Sequence, residues 1–174
     1  NGLMDNPLVS NENLSLIGSA EHRSVGRQAV RESVVVLKDD NILPLSKDLQ
    51  TLVVAGKGAD NLGMQCGGWS IEWQGGQGDI TVGTTILDGI KKTVSESTEI
   101  IYSEDGSDVV PNPDNIAVVV VGEDPYTEWF GDKKNLDLNN DDINLIKSLK
   151  DKGFKVAVLL ISGRPLTVAD HIDQ

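Results

Sequence analysis

Four short apolar runs, separated by segments with helical spacing, constrain the fold of this chain most strongly. The runs are LQTLVVAG (49–56), TEIIYS (98–103), IAVVVVG (116–122) and KVAVLLISG (155–163). Because they are continuously apolar rather than alternating, they are typical of strands that are covered on both faces. Helical patterns at 84–97 and 139–153 lie between them, and strands joined by such helices predict a parallel sheet with right-handed crossovers. We therefore expect an α/β fold, a three-layer sandwich with a mostly parallel sheet.

The beginning of the chain shows a different pattern. Residues 1–19 mix Asn, Ser, Gly and Pro with scattered leucines and no sustained period, as an interdomain linker does. After Ser19, apolar residues on one helical face predict a helix from about residue 20 to 36. We interpret 1–19 as the linker and 20–174 as the sandwich domain. The chain starts without an initiator Met and stops where a helical pattern begins, so we expect a fragment of a longer protein, incomplete at its C-terminal side.

Composition excludes several classes of partner. The formal net charge is -12 at pH 7, and no basic stripe is present to bind a phosphate backbone or anionic lipid. No stretch approaches the roughly 18 to 20 apolar residues of a membrane span. The single cysteine, Cys66, cannot form an internal disulfide, and no metal-ligand spacing joins His22 and His171. We expect no nucleic acid, no membrane, no metal and no cofactor.

A glycine-rich segment after the first predicted strand invites comparison with a dinucleotide-binding loop. The segment is GKGADN (56–61), and such loops let backbone N–H groups approach a pyrophosphate. However, Asn61 stands where the third glycine belongs, and the following LGMQCGGW is too rich in helix breakers to predict a helix. We therefore favour glycines that simply turn the chain at a strand end.

Three loops follow strand ends, where ligands bind in open α/β sheets. They begin after Val54, Val121 and Ile161, and the two longest carry all three tryptophans. The first contains GMQCGGWSIEWQGGQG, with six glycines beside Trp69 and Trp73. An indole has a flat apolar face and one N–H donor, which suits both stacking on a sugar ring and packing at a domain interface. The residues alone leave both interpretations open.

The second loop, GEDPYTEWFGDKKN (122–135), combines carboxylates with aromatic residues. Glu128 directly precedes Trp129 and Phe130 and is the best placed for acid chemistry, because partial burial beside rings favours the protonated carboxyl. A solvent-facing acidic turn is the alternative. In the third loop, SGRPLT, we expect Arg164 to form a buried bidentate ion pair with a carboxylate.

Read together, GMQCGGWSIEWQG, TVGTTILDGI, VVVVGEDPYTEWFGD and VLLISGRPL resemble the second domain of glycoside hydrolase family 3, in particular its β-glucan exohydrolases and bacterial β-glucosidases. The resemblance runs from about residue 18 to 170. It implies a retaining β-glucosidase or exo-β-glucanase that acts at the non-reducing end of β-glucans or β-glucosides. Its active site would lie between an N-terminal barrel of the same protein and this sandwich. A secreted or periplasmic location follows by analogy.

The same resemblance assigns roles to individual residues. Glu128 is the second glutamate of a GE-x-P-Y-x-E-x-x-G-D-like motif and becomes the acid/base residue. Trp73 becomes one jaw of an aromatic clamp on the sugar beyond the scissile bond, and Trp69 shapes or supports that loop. The nucleophilic aspartate would come from the barrel, so the fragment alone is expected to be inactive. The alternative is a non-catalytic carbohydrate-binding or interaction domain that keeps the tryptophans.

Overall fold

The computed structural model describes residues 2, 4, 5, 8 and 11–172. The chain divides into two compact units, Asn1–Asp39 and Asp40–Gln174. The first contains a 3-10 helix, Asn11–Leu16, and helix α1, Ala20–Ser33. The α1 helix begins where the sequence predicts, because the Ser19 hydroxyl accepts a hydrogen bond from the His22 backbone N–H at 3.3 Å and caps the first turn. It ends earlier than predicted, since Val34 is already extended. The domain boundary expected at residue 19/20 stays a prediction.

The second unit alternates strands and helices. In chain order its elements are β1 Thr51–Ala55, α2 Leu62–Cys66, α3 Ile86–Lys91, β2 Glu99–Ser103, β3 Ile116–Gly122, a 3-10 helix Glu128–Gly131, α4 Asn140–Asp151, β4 Lys155–Ile161 and α5 Ala169–Ile172. The strands pair in the order β2-β1-β3-β4, and every pairing is parallel. The predicted α/β fold with a parallel sheet is confirmed.

Apolar side chains cover both faces of the two central strands, β1 and β3. On one face, Val119 and Val121 pack with Leu149 of α4. On the other, Val118 and Val120 pack with Leu87 of α3. Burying one such side chain stabilises the fold by roughly 1.5–3 kcal/mol. The helices on opposite faces give the three layers that the continuous apolar runs predict.

One local prediction is wrong. A short helix, α2, does follow the glycine-rich segment 56–61. Its first turn is capped by Asn61, whose side-chain oxygen accepts hydrogen bonds from the backbone N–H groups of Met64 and Gly78, each at 2.9 Å. A side-chain cap of this kind offsets the unfavourable glycine content, because it pairs N–H groups that the helix leaves open. The same cap occupies the end of the helix where a phosphate would have to bind.

The parallel arrangement fixes where the loops lie. Strands β1, β3 and β4 run in one direction, so their carboxyl ends deliver the loops beginning at residues 56, 123 and 162 to the same edge of the sheet. The ends of β3 and β4 approach very closely there, since a Cβ on Gly122 would collide with the Ile161 carbonyl. Within the described residues, no helix is long and apolar enough to cross a membrane.

Candidate active site

The three loops at the carboxyl edge contact one another. The first and second loops are joined by the side chain of Gln74, which makes two hydrogen bonds to Thr127. The second and third are joined by Glu123, which accepts a hydrogen bond from the Ser162 hydroxyl at 2.7 Å. The structure thus brings the segment around Trp73 and the segment around Glu128 to one place, as the strand order requires.

Four aromatic residues form a continuous surface at this edge, here called the aromatic cluster: Trp69, Trp73, Trp129 and Phe130. Trp73 is the central member, with ring centroids 6.4 Å from Trp69, 5.4 Å from Trp129 and 5.6 Å from Phe130. The last two contacts are edge-to-face, which is a favourable geometry for aromatic pairs. Trp73 is 38% exposed and the other three are 65% to 69% exposed. A contiguous apolar patch of this kind marks a binding surface.

Glu128 lies beside the aromatic cluster. It is the first residue of the 3-10 helix Glu128–Gly131, and it is exposed. Its backbone has φ 49°, in the left-handed region, which non-glycine residues seldom adopt and which persists only where the surroundings hold it. Trp69 and Ile71 of the first loop also have positive φ, at 60° and 66°. Unfavourable backbone conformations therefore concentrate around the predicted site.

Glycine explains how the two loops approach each other. A Cβ on Gly68 would collide with the Tyr126 carbonyl and with the Thr127 methyl group. Gly75 has φ 77°, and a Cβ there would lie 2.7 Å from the Pro125 side chain. Any larger residue at these positions would separate the loops. The glycines beside the tryptophans are thus required by the contact between loops that the sequence alone does not reveal.

Glu123, the other glutamate of the motif, is fully engaged in the structure. It is buried, and its carboxylate pairs with Lys133 at 3.0 Å and with Arg164 at 3.1 Å in addition to Ser162. Burial alone would raise the pKa of Glu123, but the hydrogen bonds from Ser162, Lys133 and Tyr126 and the charge of Arg164 lower it below the ordinary value. A carboxylate held ionised in this way is suited to anchoring the loops rather than to donating a proton.

Arg164 forms the expected ion pair, but the pair is not bidentate. Only its Nε reaches Glu123, and the same nitrogen donates to the Tyr126 hydroxyl at 2.6 Å. The guanidinium carbon lies 3.9 Å from the centre of the Tyr126 ring, a cation–π contact. Its Nη2 is buried without a hydrogen-bond partner among the described residues. Arg164 thus contacts Glu123 and the Tyr126 hydroxyl through the same nitrogen, Nε.

A second buried carboxylate lies just below the loops. Asp142, near the start of α4, is buried and accepts a hydrogen bond from the Gly122 backbone N–H at 3.2 Å. Burial raises the pKa of Asp142, with further raising by Asp124 and Asp141, against the lowering effect of Lys57 and of the Gly122 hydrogen bond. This group joins the end of β3 to α4, and it lies on the sheet side of the loops rather than in the aromatic cluster.

A groove of about 560 Å³ opens next to these loops, lined in part by Lys57, Asp124, Lys133 and Phe130. Neither Trp73 nor Glu128 lines it. Glu128, Trp69 and Trp73 are instead exposed at the loop edge of the sheet. The residues that the structure describes include no group of three or more His, Cys, Asp or Glu side chains placed to hold a metal ion.

Sequence reasoning missed Gln74 and Thr127. Both lie in loops without periodicity, and their pairing spans 53 positions of the chain, so no local pattern signals it. The only available hint is that Gln74 follows Trp73 and Thr127 precedes Glu128. The ring contacts that place Trp129 and Phe130 against Trp73 were likewise not predicted.

Known proteins are similar to this chain over most of its length. A lysosomal beta glucosidase of Dictyostelium discoideum is 30% identical over 94% of this chain and 22% of its own length. A periplasmic beta-glucosidase of Salmonella typhimurium is 26% identical over 88% of this chain and 24% of its own. The crystal structure of an exo-1,3/1,4-beta-glucanase from a Pseudoalteromonas species superposes with a TM-score of 0.79 and 38% identity, over 89% of this chain and 20% of that chain.

This chain thus spans about a fifth to a quarter of the length of these relatives. A family model described as the glycosyl hydrolase family 3 C-terminal domain matches residues 34–174. The resemblance inferred from the four sequence motifs is confirmed by this match and by the shared fold. The chain belongs to the family of glycosyl hydrolase family 3 C-terminal domains.

Proposed function

We propose that this chain is the acid/base and sugar-binding domain of a retaining enzyme that hydrolyses β-glucosidic bonds from the non-reducing end of β-glucans or β-glucosides. The observation that carries the proposal is the position of Glu128. It directly precedes Trp129 and Phe130, whose rings contact Trp73 at 5.4 Å and 5.6 Å. A glutamate and a flat apolar wall are therefore neighbours at the loop edge of the sheet, where ligands of α/β proteins bind.

In this mechanism Glu128 acts twice. It first donates its proton to the glycosidic oxygen while a carboxylate nucleophile attacks the anomeric carbon, which forms a covalent glycosyl-enzyme and releases the leaving group. It then removes a proton from the water that hydrolyses this intermediate. In retaining enzymes the two carboxyl groups are about 5 to 5.5 Å apart. The nucleophile is proposed to come from an N-terminal barrel domain of the same protein, so the chain alone would have no activity.

The exposure of Glu128 and of the aromatic cluster agrees with a site completed by a second domain. Docking a barrel against this edge would shield Glu128 and the aromatic cluster from water. Trp73, with Trp69 beside it, would offer a ring face to the sugar beyond the scissile bond. We also propose that the protein acts outside the cytoplasm, in the periplasm or secreted; a relative named as a periplasmic beta-glucosidase supports this.

The test compares Glu128→Gln with the unaltered full-length protein on two substrates. With a disaccharide, whose leaving group needs a proton, kcat/KM should fall about 100- to 10,000-fold. With a dinitrophenyl β-glucoside, which needs no proton to leave, kcat/KM should change little, although kcat should fall because the second step lacks its base. Equal losses on both substrates would contradict the assignment.

Two further measurements separate the acid/base role from general damage. In Glu128→Ala, azide should accelerate turnover of the dinitrophenyl glucoside and give a β-glucosyl azide, because azide attacks the anomeric carbon without losing a proton. The control is Glu104→Gln, an exposed glutamate beyond the end of β2, which should behave as the unaltered protein. If Glu128 variants keep full activity while Trp73→Ala weakens glucan binding, the chain is instead a carbohydrate-binding domain.

A further inference from the structure

The side chain of Gln74 forms the hydrogen-bonded link between the two loops that carry the predicted site. Its Nε2 donates to the Thr127 hydroxyl oxygen at 2.7 Å, and its Oε1 accepts from the Thr127 backbone N–H at 3.0 Å. The backbone N–H can only donate, so the orientation of the amide is fixed by its partners. Both polar ends of the glutamine are thus used on one residue of the neighbouring loop.

The position of this link in the chain gives it significance. Gln74 directly follows Trp73, and Thr127 directly precedes Glu128. Thr127 is only 6% exposed, so the link lies beneath the surface that Trp73 and Glu128 present. A shift of Thr127 would move the attached glutamate, whose φ of 49° needs support from its surroundings.

The backbones of the two loops also meet without space between them. Gly68 contacts Tyr126 and Thr127 so closely that a Cβ would collide with both. Van der Waals contact sets how near the loops lie, but it leaves them free to slide along each other. Two directional hydrogen bonds from one amide remove that freedom, because each loses its geometry when Thr127 moves.

We propose that Gln74 is a positioning residue that sets the carboxyl of Glu128 relative to the ring of Trp73. It contacts neither the sugar nor the reacting atoms, and acts through Thr127. The inference rests on the proposed acid/base role of Glu128. Proton transfer depends steeply on distance and alignment, so a displacement of about 1 Å can cost roughly 100-fold in rate. Loss of the Gln74 side chain should therefore slow the proton-transfer step more than it weakens substrate binding.

The experiment uses the full-length protein and the same two substrates. Gln74→Ala should lower kcat/KM for the disaccharide about 10- to 100-fold, while kcat/KM for the dinitrophenyl β-glucoside stays within about threefold. A purely structural role would lower both equally. Thr127→Val keeps the shape but loses the hydroxyl, and should show the same selective loss to a smaller extent. Thr127→Ser keeps the hydroxyl and should behave as the unaltered protein on both substrates.

The decisive measurement combines Gln74→Ala with Glu128→Gln. If Gln74 acts through Glu128, its effect on the disaccharide should vanish once the acid is absent, because residues that act as a unit are not additive. Full additivity, or equal losses on both substrates, would overturn the positioning role while leaving the acid/base assignment intact. If Glu128→Gln alone shows no dependence on the leaving group, both proposals fail.

Thermal unfolding of each variant identifies any loss of folding. If Gln74→Ala does not fold, Thr127→Val is used in its place.

Discussion

The centre of the sheet and the aromatic cluster both consist of apolar side chains, but those of the sheet are buried and those of the cluster are largely exposed. In the sheet, Val119, Val120 and Val121 are fully buried, and their burial is what stabilises the fold. In the cluster, Trp73 and Trp129 keep 38% and 65% of their surface exposed. These rings are held by edge contacts, by glycine-mediated loop packing and by hydrogen bonds. Apolar surface that stays exposed after folding is available to bind a ligand or a second domain.

The largest effect on stability should come from the buried region. Leu149→Ala removes a side chain that is 0% exposed between α4 and the sheet, and should lower the free energy of unfolding by about 2–5 kcal/mol through lost burial and a cavity. Denaturant unfolding of the full-length protein measures it, and kcat/KM per folded molecule should not change. Leu136→Ala, at a residue 37% exposed, is the matched control and should cost less than about 1 kcal/mol.

Trp73→Ala should lower kcat/KM more than it lowers the stability of the fold, the reverse of Leu149→Ala. Loss of the ring removes the proposed sugar wall, so kcat/KM for glucan oligosaccharides should fall about 10- to 100-fold, equivalent to about 1.4–2.8 kcal/mol. The free energy of unfolding should fall less than in Leu149→Ala, because Trp73 is already partly exposed. Trp69→Ala, in the same loop, should have a smaller effect on activity. If Trp73→Ala destabilises the protein as much as Leu149→Ala and leaves kcat/KM unchanged, the cluster is an extension of the core.

Glu123 tests the polar support beneath the loops. Glu123→Gln should cost about 1.5–3 kcal/mol at neutral pH, since the neutral amide removes the charge that both Lys133 and Arg164 contact. The pKa of Glu123 is lowered from 4.5 in the folded protein. Its contribution to stability is therefore fully present above pH 4.5 and disappears as the pH falls through the folded value. Unfolding measured against pH should show the variant and the unaltered protein converging in acid; a constant difference at every pH would contradict the proposed support.

The smallest expected effect is a gain in stability. Burial raises the pKa of Asp142 from 3.8 in the folded protein. The ionised Asp142 carboxylate therefore lowers the free energy of unfolding at pH values above its folded pKa, and this effect is absent below pH 3.8, where the group is protonated in both states. Asp142→Asn can still accept the hydrogen bond from Gly122, and should therefore stabilise the protein slightly at neutral pH and not in acid. Thermal unfolding across this pH range measures the difference. A variant that is less stable at neutral pH would show that the charge is favourable.

The strands were predictable because of their composition. The run IAVVVVG has no polar side chain, is of strand length and is rich in β-branched valine, so it predicts a strand buried on both faces, and β3 occupies residues 116–122 as predicted. The ends of the helices were predicted less accurately than the strands. The predicted helix at 84–97 is formed only at Ile86–Lys91. The α2 helix was missed because the glycines in its segment argued against a helix, although Asn61 caps its first turn at Met64.

The sequence by itself determined the layered α/β fold, and the strand ends that gather Trp69, Trp73 and Glu128 at one edge, because apolar runs and strand direction are properties of the chain order. Only the tertiary structure decided which of these side chains meet. The link from Gln74 to Thr127 and the contacts of Trp73 with Trp129 and Phe130 join loops about fifty residues apart. Such loops have no periodicity, so their pairing is set by the spacing of neighbouring strands and by glycines that allow close contact.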